Sequence, residues 1–140
     1  MKAQHWMFAA AVMMATAILL DGVPALAHHA SAPFYDDTKT AEAQGPVTRF
    51  LIKNPHSFLY FEAANEKGEK VEWQIELGAV TAMTRAGWTP ETLKPGTMVK
   101  VAGRPSRAEG SYGMCCARIT RPDGSPIVAG ARVTEEPQPR

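Results

Sequence analysis

Val71-Glu72-Trp73-Gln74-Ile75-Glu76-Leu77 alternates apolar and polar side chains without a fault. Period two over seven residues is the pattern of a half-buried antiparallel strand, with Val71, Trp73, Ile75 and Leu77 facing a core and Glu72, Gln74 and Glu76 facing away. Upstream, Asn65-Glu-Lys-Gly68 closes a hairpin onto Ser57–Ala63, a run rich in aromatics and apolar on both faces for much of its length. Further upstream, Asn54-Pro55-His56 is a turn signal, and Val47, Phe50 and Ile52 supply a first strand that starts near Ala41. Gly45-Pro46 interrupts that strand and predicts a bulge or coil within it.

Downstream, Gly78 ends the alternating strand. Ala79–Ala86 reads as a short helix with Val80 and Met83 as its apolar contacts and Gly87 as its stop. Thr89–Leu93 reads as a second brief helical turn with proline in its first position. Val99 and Val101 then mark a fourth strand, and Cys115, Ala117 and Ile119 one face of a fifth. Pro122–Ser125 turns the chain into a short Ile127-Val128 edge. Three strands, a short helix, then two or three strands is the order of a small OB-like antiparallel barrel, five- to six-stranded, with its helix between strands three and four. A β-sandwich with a helical excursion is the competing fold.

The chain has 140 residues, 15 Lys+Arg, 14 Asp+Glu and a formal net charge of +1. Lys2, the apolar run Met7–Leu20 and the small-residue site Ala25-Leu26-Ala27 form the layout of a secretory signal peptide over residues 1–27. The run is too short to span a bilayer, and no later one is longer. Export would make the mature protein periplasmic or secreted, with His28 first and His29 second. The mature chain divides into an arm over 28–40, a barrel over 41–130 and a polar tail over 131–140 expected to be disordered. Phe34 and Tyr35 are available to pin the arm. Near-neutral charge gives no electrostatic reason to expect nucleic acid, and no membrane span is expected once the leader is gone.

Asn54-Pro55-His56, Trp73–Gly78, Arg85-Ala-Gly-Trp-Thr89, Leu93-Lys-Pro-Gly96 and Pro122-Asp-Gly124 together resemble the bacterial exported family DUF6152. The resemblance covers about residues 28–130. It implies export, a mature N-terminus beginning in a His-His segment and a small β-barrel, and it carries no activity with it. The chain departs from the family's pattern at Ala30-Ser31-Ala32-Pro33 and at Met114-Cys115-Cys116.

Four sets of residues are candidates for chemistry. His28, as a mature N-terminus, offers an amine and an imidazole to one metal; His29 adds a second imidazole, and His56 a third if the arm folds back. Nitrogen ligands in that number suit Cu(II), or Zn(II) in a tetrahedral site. The plainer reading leaves the histidine pair as the remnant of signal cleavage and gives His56 a turn-capping role. Cys115 and Cys116 are the redox candidates, yet neighbours on a strand point to opposite faces, which leaves Cys115 buried and Cys116 exposed. Phe58, Tyr60 and Trp88 are candidates for a ligand or partner face, because OB barrels commonly bind across strands two and three; Trp73 is assigned to the core. Arg104, Arg107, Arg118 and Arg121 form at most a solvated basic strip, balanced by glutamates.

No phosphate loop, nucleophile elbow, HExxH pair or haem-attachment motif is present in the sequence. Glu62 and Glu76 are the one conceivable carboxylate pair, and both have ordinary solvent-face explanations. The expected function is therefore non-catalytic: an exported binding or accessory module whose partner is an unknown periplasmic protein or small ligand. The alternative is a periplasmic copper-binding protein using His28, His29 and His56, with copper the one cofactor suggested.

Overall fold

The protein, described as a computed structural model over residues 31–129, is built on five strands and one short helix. The expected leader, His28, His29 and the expected tail lie outside the described residues. In chain order the elements are β1 (Ala41–Leu51), β2 (Phe58–Ala64), β3 (Lys70–Glu76), α1 (Val80–Arg85), β4 (Met98–Pro105) and β5 (Gly113–Thr120). The strands close into a barrel in the order β1-β2-β3-β5-β4, antiparallel throughout except for a short parallel pairing of β3 with β5. Element order, closure and helix position are those of the small OB-like barrel that the alternation predicted, and the sandwich is excluded. The β3–β5 seam that completes closure is short, with Gln74 opposite Gly113 and Ile75 opposite Met114.

One long strand makes closure possible. Ala41–Pro46 of β1 pairs with β4, while Val47–Leu51 pairs with β2. The irregularity expected at Gly45-Pro46 falls instead between Val47 and Arg49, where the register with β2 shifts. Gly45 serves a different purpose: a Cβ there would sit 1.8 Å from the carbonyl oxygen of Glu62, so β2 can cross β1 this closely only over a glycine.

The alternation in β3 is realised, with Trp73 and Ile75 buried and Glu72 and Gln74 exposed. Across the ladder Leu59 opposes Ile75 and Phe61 opposes Trp73, so β2 sends Leu59, Phe61 and Ala63 inward and Phe58 and Tyr60 outward. Phe61 stacks on Trp73 with 6.4 Å between ring centres. Leu59, Phe61, Ile75, Val99, Val101 and Met114 are fully enclosed, each contributing about 1.5–3 kcal/mol through burial.

The helix is capped from a distance. No side chain at Ala79 caps it, but Asn54 Oδ1, from the turn between β1 and β2, accepts the amide of Val80 at 3.1 Å. Met83 is its buried contact, and Gly87 at φ 81° ends it. The brief helical turn expected over Thr89–Leu93 is a single turn closed by the Thr92 amide on the Thr89 carbonyl at 3.0 Å, while Ile127-Val128 is no strand; a single bridge joins Thr120 to Pro126.

Candidate functional site

Three segments far apart in sequence meet at the outer end of β3. Glu76, its last residue, projects from the outward face opposite Phe58 of β2. Tyr35 of the arm donates its hydroxyl to Glu76 Oε2 at 2.7 Å, and His56 Nδ1 engages Oε1. One carboxylate thereby holds a phenol and an imidazole through different oxygens.

Backbone bonds fix each contributor. The arm lies along the end of β4: Tyr35 bridges to Ser106, the Asp36 amide donates to the Pro105 carbonyl at 2.8 Å, and the Arg107 amide donates to the Phe34 carbonyl at 2.8 Å. Arg107 Nε also donates to the carbonyls of Ala32 and Tyr35. Asp36 accepts from the hydroxyl and amide of Thr38, which together with Arg107 hold its carboxyl below the usual range. Of the two aromatics expected to pin the arm, Tyr35 does so, while Phe34 stands 68% exposed. His56 follows a cis Asn54–Pro55 bond. Its neighbour Ser57 is locked by backbone bonds to Gly78 and Leu77, so the turn is stitched to the end of β3 beside Glu76.

Burial, followed by the Glu76 hydrogen bond and charge, raises the Tyr35 phenol well above its ordinary range. It is a proton donor at any physiological pH. A His56 imidazole that donates from Nδ1 to a carboxylate carries, when neutral, its lone pair on Nε2, which is the usual orientation of a metal-binding histidine with a carboxylate behind it. Among the described residues, however, no group of three or more His, Cys, Asp or Glu could hold a metal ion. His28 and His29 lie outside those residues, so of the expected metal ligands only His56 has a described place.

Cys115 and Cys116 sit on the same wall. Both thiols and Glu76 act electrostatically on the Tyr35 phenol. The expectation that strand neighbours point apart does not hold here. Between β4 and β5 the register slips, so that Ala102 faces Arg118 while Arg104 faces Cys115, leaving an additional residue on β5. That bulge turns Cys116 to φ 52° and brings the two Sγ atoms to 3.1 Å. Cys115 remains buried and Cys116 exposed, as expected, and neither is bonded to another cysteine. Burial pushes the Cys115 thiol up to about 12, with Cys116 adding to the rise.

Phe58 and Tyr60 share the outward face of β2, 6.3 Å apart, half-buried. Arg49 lies 4.0 Å above the Tyr60 ring and Lys53 5.3 Å above Phe58. These cations could not be found from the sequence, because only the register, Arg49 opposite Tyr60, brings them there. Trp88 is not with them. It packs on Phe50, which opposes the inward Leu59, and so belongs to the margin of the core. Glu62 pairs with Lys70 while Glu76 holds Tyr35 and His56, so the two glutamates serve separate partners. Arg104 and Arg107 are likewise not a free strip: Arg107 clasps the arm, and Arg104 Nε is buried without a hydrogen-bond partner.

Among the described residues no helix is long and apolar enough to cross a membrane. No curated protein and no solved structure matches the chain. A family model described as a family of unknown function, DUF6152, matches residues 16–115, which takes in the arm, β1 to β4, α1 and the start of β5. Matched over most of its length, the chain belongs to the family of unknown function DUF6152.

Proposed function

We propose that the protein is exported and works as a non-catalytic binding module whose binding place is the corner where Tyr35 and His56 meet on Glu76. The observation that carries this reading is the shared carboxylate: Glu76 orders a phenol from the arm and an imidazole from the β1–β2 turn in one place. Such ordering has no evident purpose in the core, since the His56 side chain is 50% exposed.

Of the ligands that corner suits, Cu(II) is favoured. His56 is held by Nδ1 and has Nε2 to offer, and the described part of the arm docks on the same carboxylate through Tyr35. An N-terminal amine with two or three imidazoles supplies the nitrogen donors that Cu(II) prefers.

The test is a Cu(II) titration of mature protein, with its His28 start verified by intact mass, followed by electron paramagnetic resonance. One nitrogen-rich site is expected, weakened at least about tenfold by His56→Ala and by Glu76→Gln, the range seen when a ligand or the group behind it is removed. Affinity unchanged in both variants refutes the copper reading.

A second occupant is supported by the outward pair Phe58 and Tyr60, whose rings already carry Lys53 and Arg49. A cation-loaded aromatic surface suits an anionic group on a partner protein or small ligand. Phe58→Ala with Tyr60→Ala separates the readings, because it leaves copper binding intact if the corner is the site.

A further inference from the structure

We propose that Cys115 and Cys116 form a thiol–disulfide exchange site, in which a small-molecule disulfide oxidises the adjacent pair to a reversible intramolecular bond. Such a site requires neither copper binding nor export.

Adjacent cysteines in a regular strand cannot meet, since their side chains leave opposite faces. Here the β5 bulge removes that obstacle: Cys116 occupies the left-handed region at φ 52° and the sulfurs approach to 3.1 Å. A non-glycine residue at such a φ costs on the order of 1–3 kcal/mol and persists only where surrounding structure holds it. Gly103 of β4 is what makes room, because a Cβ there would lie 2.7 Å from Ala117 Cβ and 2.9 Å from the Cys115 carbonyl oxygen. The two thiols also differ as an exchange pair should. Cys116 is exposed and open to attack on an oxidant; Cys115 is buried, and burial keeps its thiol protonated until the mixed disulfide beside it has formed.

The reaction balances without a further reagent. Cys116 gives its proton to solvent and its thiolate attacks one sulfur of an oxidant R–S–S–R. The oxidant's bond breaks, a mixed disulfide forms on Cys116, and RS⁻ leaves to become RSH. Cys115 then loses its proton and attacks Cys116 Sγ, closing the Cys115–Cys116 bond and expelling a second RSH. Two protein thiols are oxidised by two electrons and one disulfide is reduced to two thiols. Consecutive Cα atoms are about 3.8 Å apart, shorter than the roughly 4.4–6.8 Å usual for a disulfide, so the closed bond is strained and readily reduced.

The test treats the full mature chain with oxidised glutathione, quenches with an alkylating agent and maps the tryptic peptide 108–118, which holds both cysteines. The expected product is that peptide, unalkylated and lighter by two hydrogens, with both thiols returned by mild reductant. Cys115→Ser is expected to stall as a glutathione adduct on Cys116. Cys116→Ser leaves only the buried thiol, which burial alone still holds above its ordinary range, so it is expected to lose the disulfide product and to take up glutathione more slowly than free cysteine. A doubly alkylated peptide, a wild-type chain stalled at one glutathione, or a disulfide-linked dimer each overturns the proposal. The wild-type peptide map decides the matter even if a serine variant fails to fold, and unchanged Cu(II) binding in the oxidised protein separates this result from the fate of the copper reading.

Discussion

Beside its backbone bonds and the Arg107 clasp, the arm is held to the barrel by Tyr35 on Glu76, and a double-mutant cycle measures that contact. A hydrogen bond to a charged group contributes about 1.5–3 kcal/mol, and the low end applies because Glu76 is 26% exposed. Tyr35→Phe removes only the hydroxyl and its 2.7 Å bond, and should cost about 1.5 kcal/mol, or roughly 5–10 °C in Tm for a domain of this size. Glu76→Ala loses the same bond and the His56 pair as well. The latter, half-exposed on the His56 side, adds no more than about 0.2–1 kcal/mol, so about 2 kcal/mol is expected in total. The double variant should cost little more than Glu76→Ala alone, giving a coupling of about 1.5 kcal/mol in urea unfolding. Amide exchange supplies an independent readout: Asp36 and Arg107, whose amides bind across the arm, should exchange faster in either variant, while Leu59 and Ile75 should not. Coupling below about 0.3 kcal/mol, within the scatter expected of independent sites, would refute the view that Glu76 fastens the arm.

Gly103→Ala should destabilise by about 1–3 kcal/mol in chemical denaturation, the usual cost of overpacking, because its Cβ meets Ala117 and the Cys115 carbonyl below 3 Å; a neutral outcome would show that the bulge does not depend on that glycine. Acid should loosen the arm. The Asp36 carboxyl is held below its ordinary 3.8 by Thr38 and Arg107, so its contribution is present above that value and lost as pH falls through the lower folded one. Protection of the Arg107 amide, corrected for intrinsic exchange, should fall as the pH drops below about 3.8, and Asp36→Asn should flatten the dependence. At the alkaline end the sign reverses. Cys115 is raised from 9.0 to about 12, so its contribution is complete below the unfolded value and is lost as pH rises across that window. Thermal stability followed in that range should fall less steeply in Cys115→Ala made on a Tyr35→Phe background than in Tyr35→Phe alone, the background removing the phenol that titrates nearby; equal slopes would refute the assignment to Cys115.

Much of the candidate site was visible in the sequence only as parts. His56 stood out as a histidine after proline in a turn, Phe58 and Tyr60 as aromatics on a segment apolar on both faces, and the cysteines as an odd pair. Glu76 looked like any solvent-face carboxylate, since nothing local distinguishes it from Glu72 on the same face. Its partners His56 and Tyr35 both lie well upstream, the latter by 41 residues, and the arm that carries Tyr35 has no periodicity from which a docking place could be read. The rule that strand neighbours diverge, sound for a regular strand, failed at Cys115-Cys116 because the bulge arises from the register between β4 and β5 rather than from either strand alone.

The barrel itself was decided locally. Alternation in β3, the glycine and proline turns, and a short amphipathic helix at one place in the strand order are properties of neighbouring residues, and burial of one face of each strand leaves few ways to close them. The sequence by itself therefore determined the order of the first five strands, the helix between the third and fourth, and which face of β3 joins the core. Tertiary structure alone decided that Glu76 joins Tyr35 to His56, that Arg49 and Lys53 cover Tyr60 and Phe58, and that two adjacent thiols meet. Those contacts depend on register and on the return of a non-periodic arm, and register is fixed by pairing between strands that are distant in the chain.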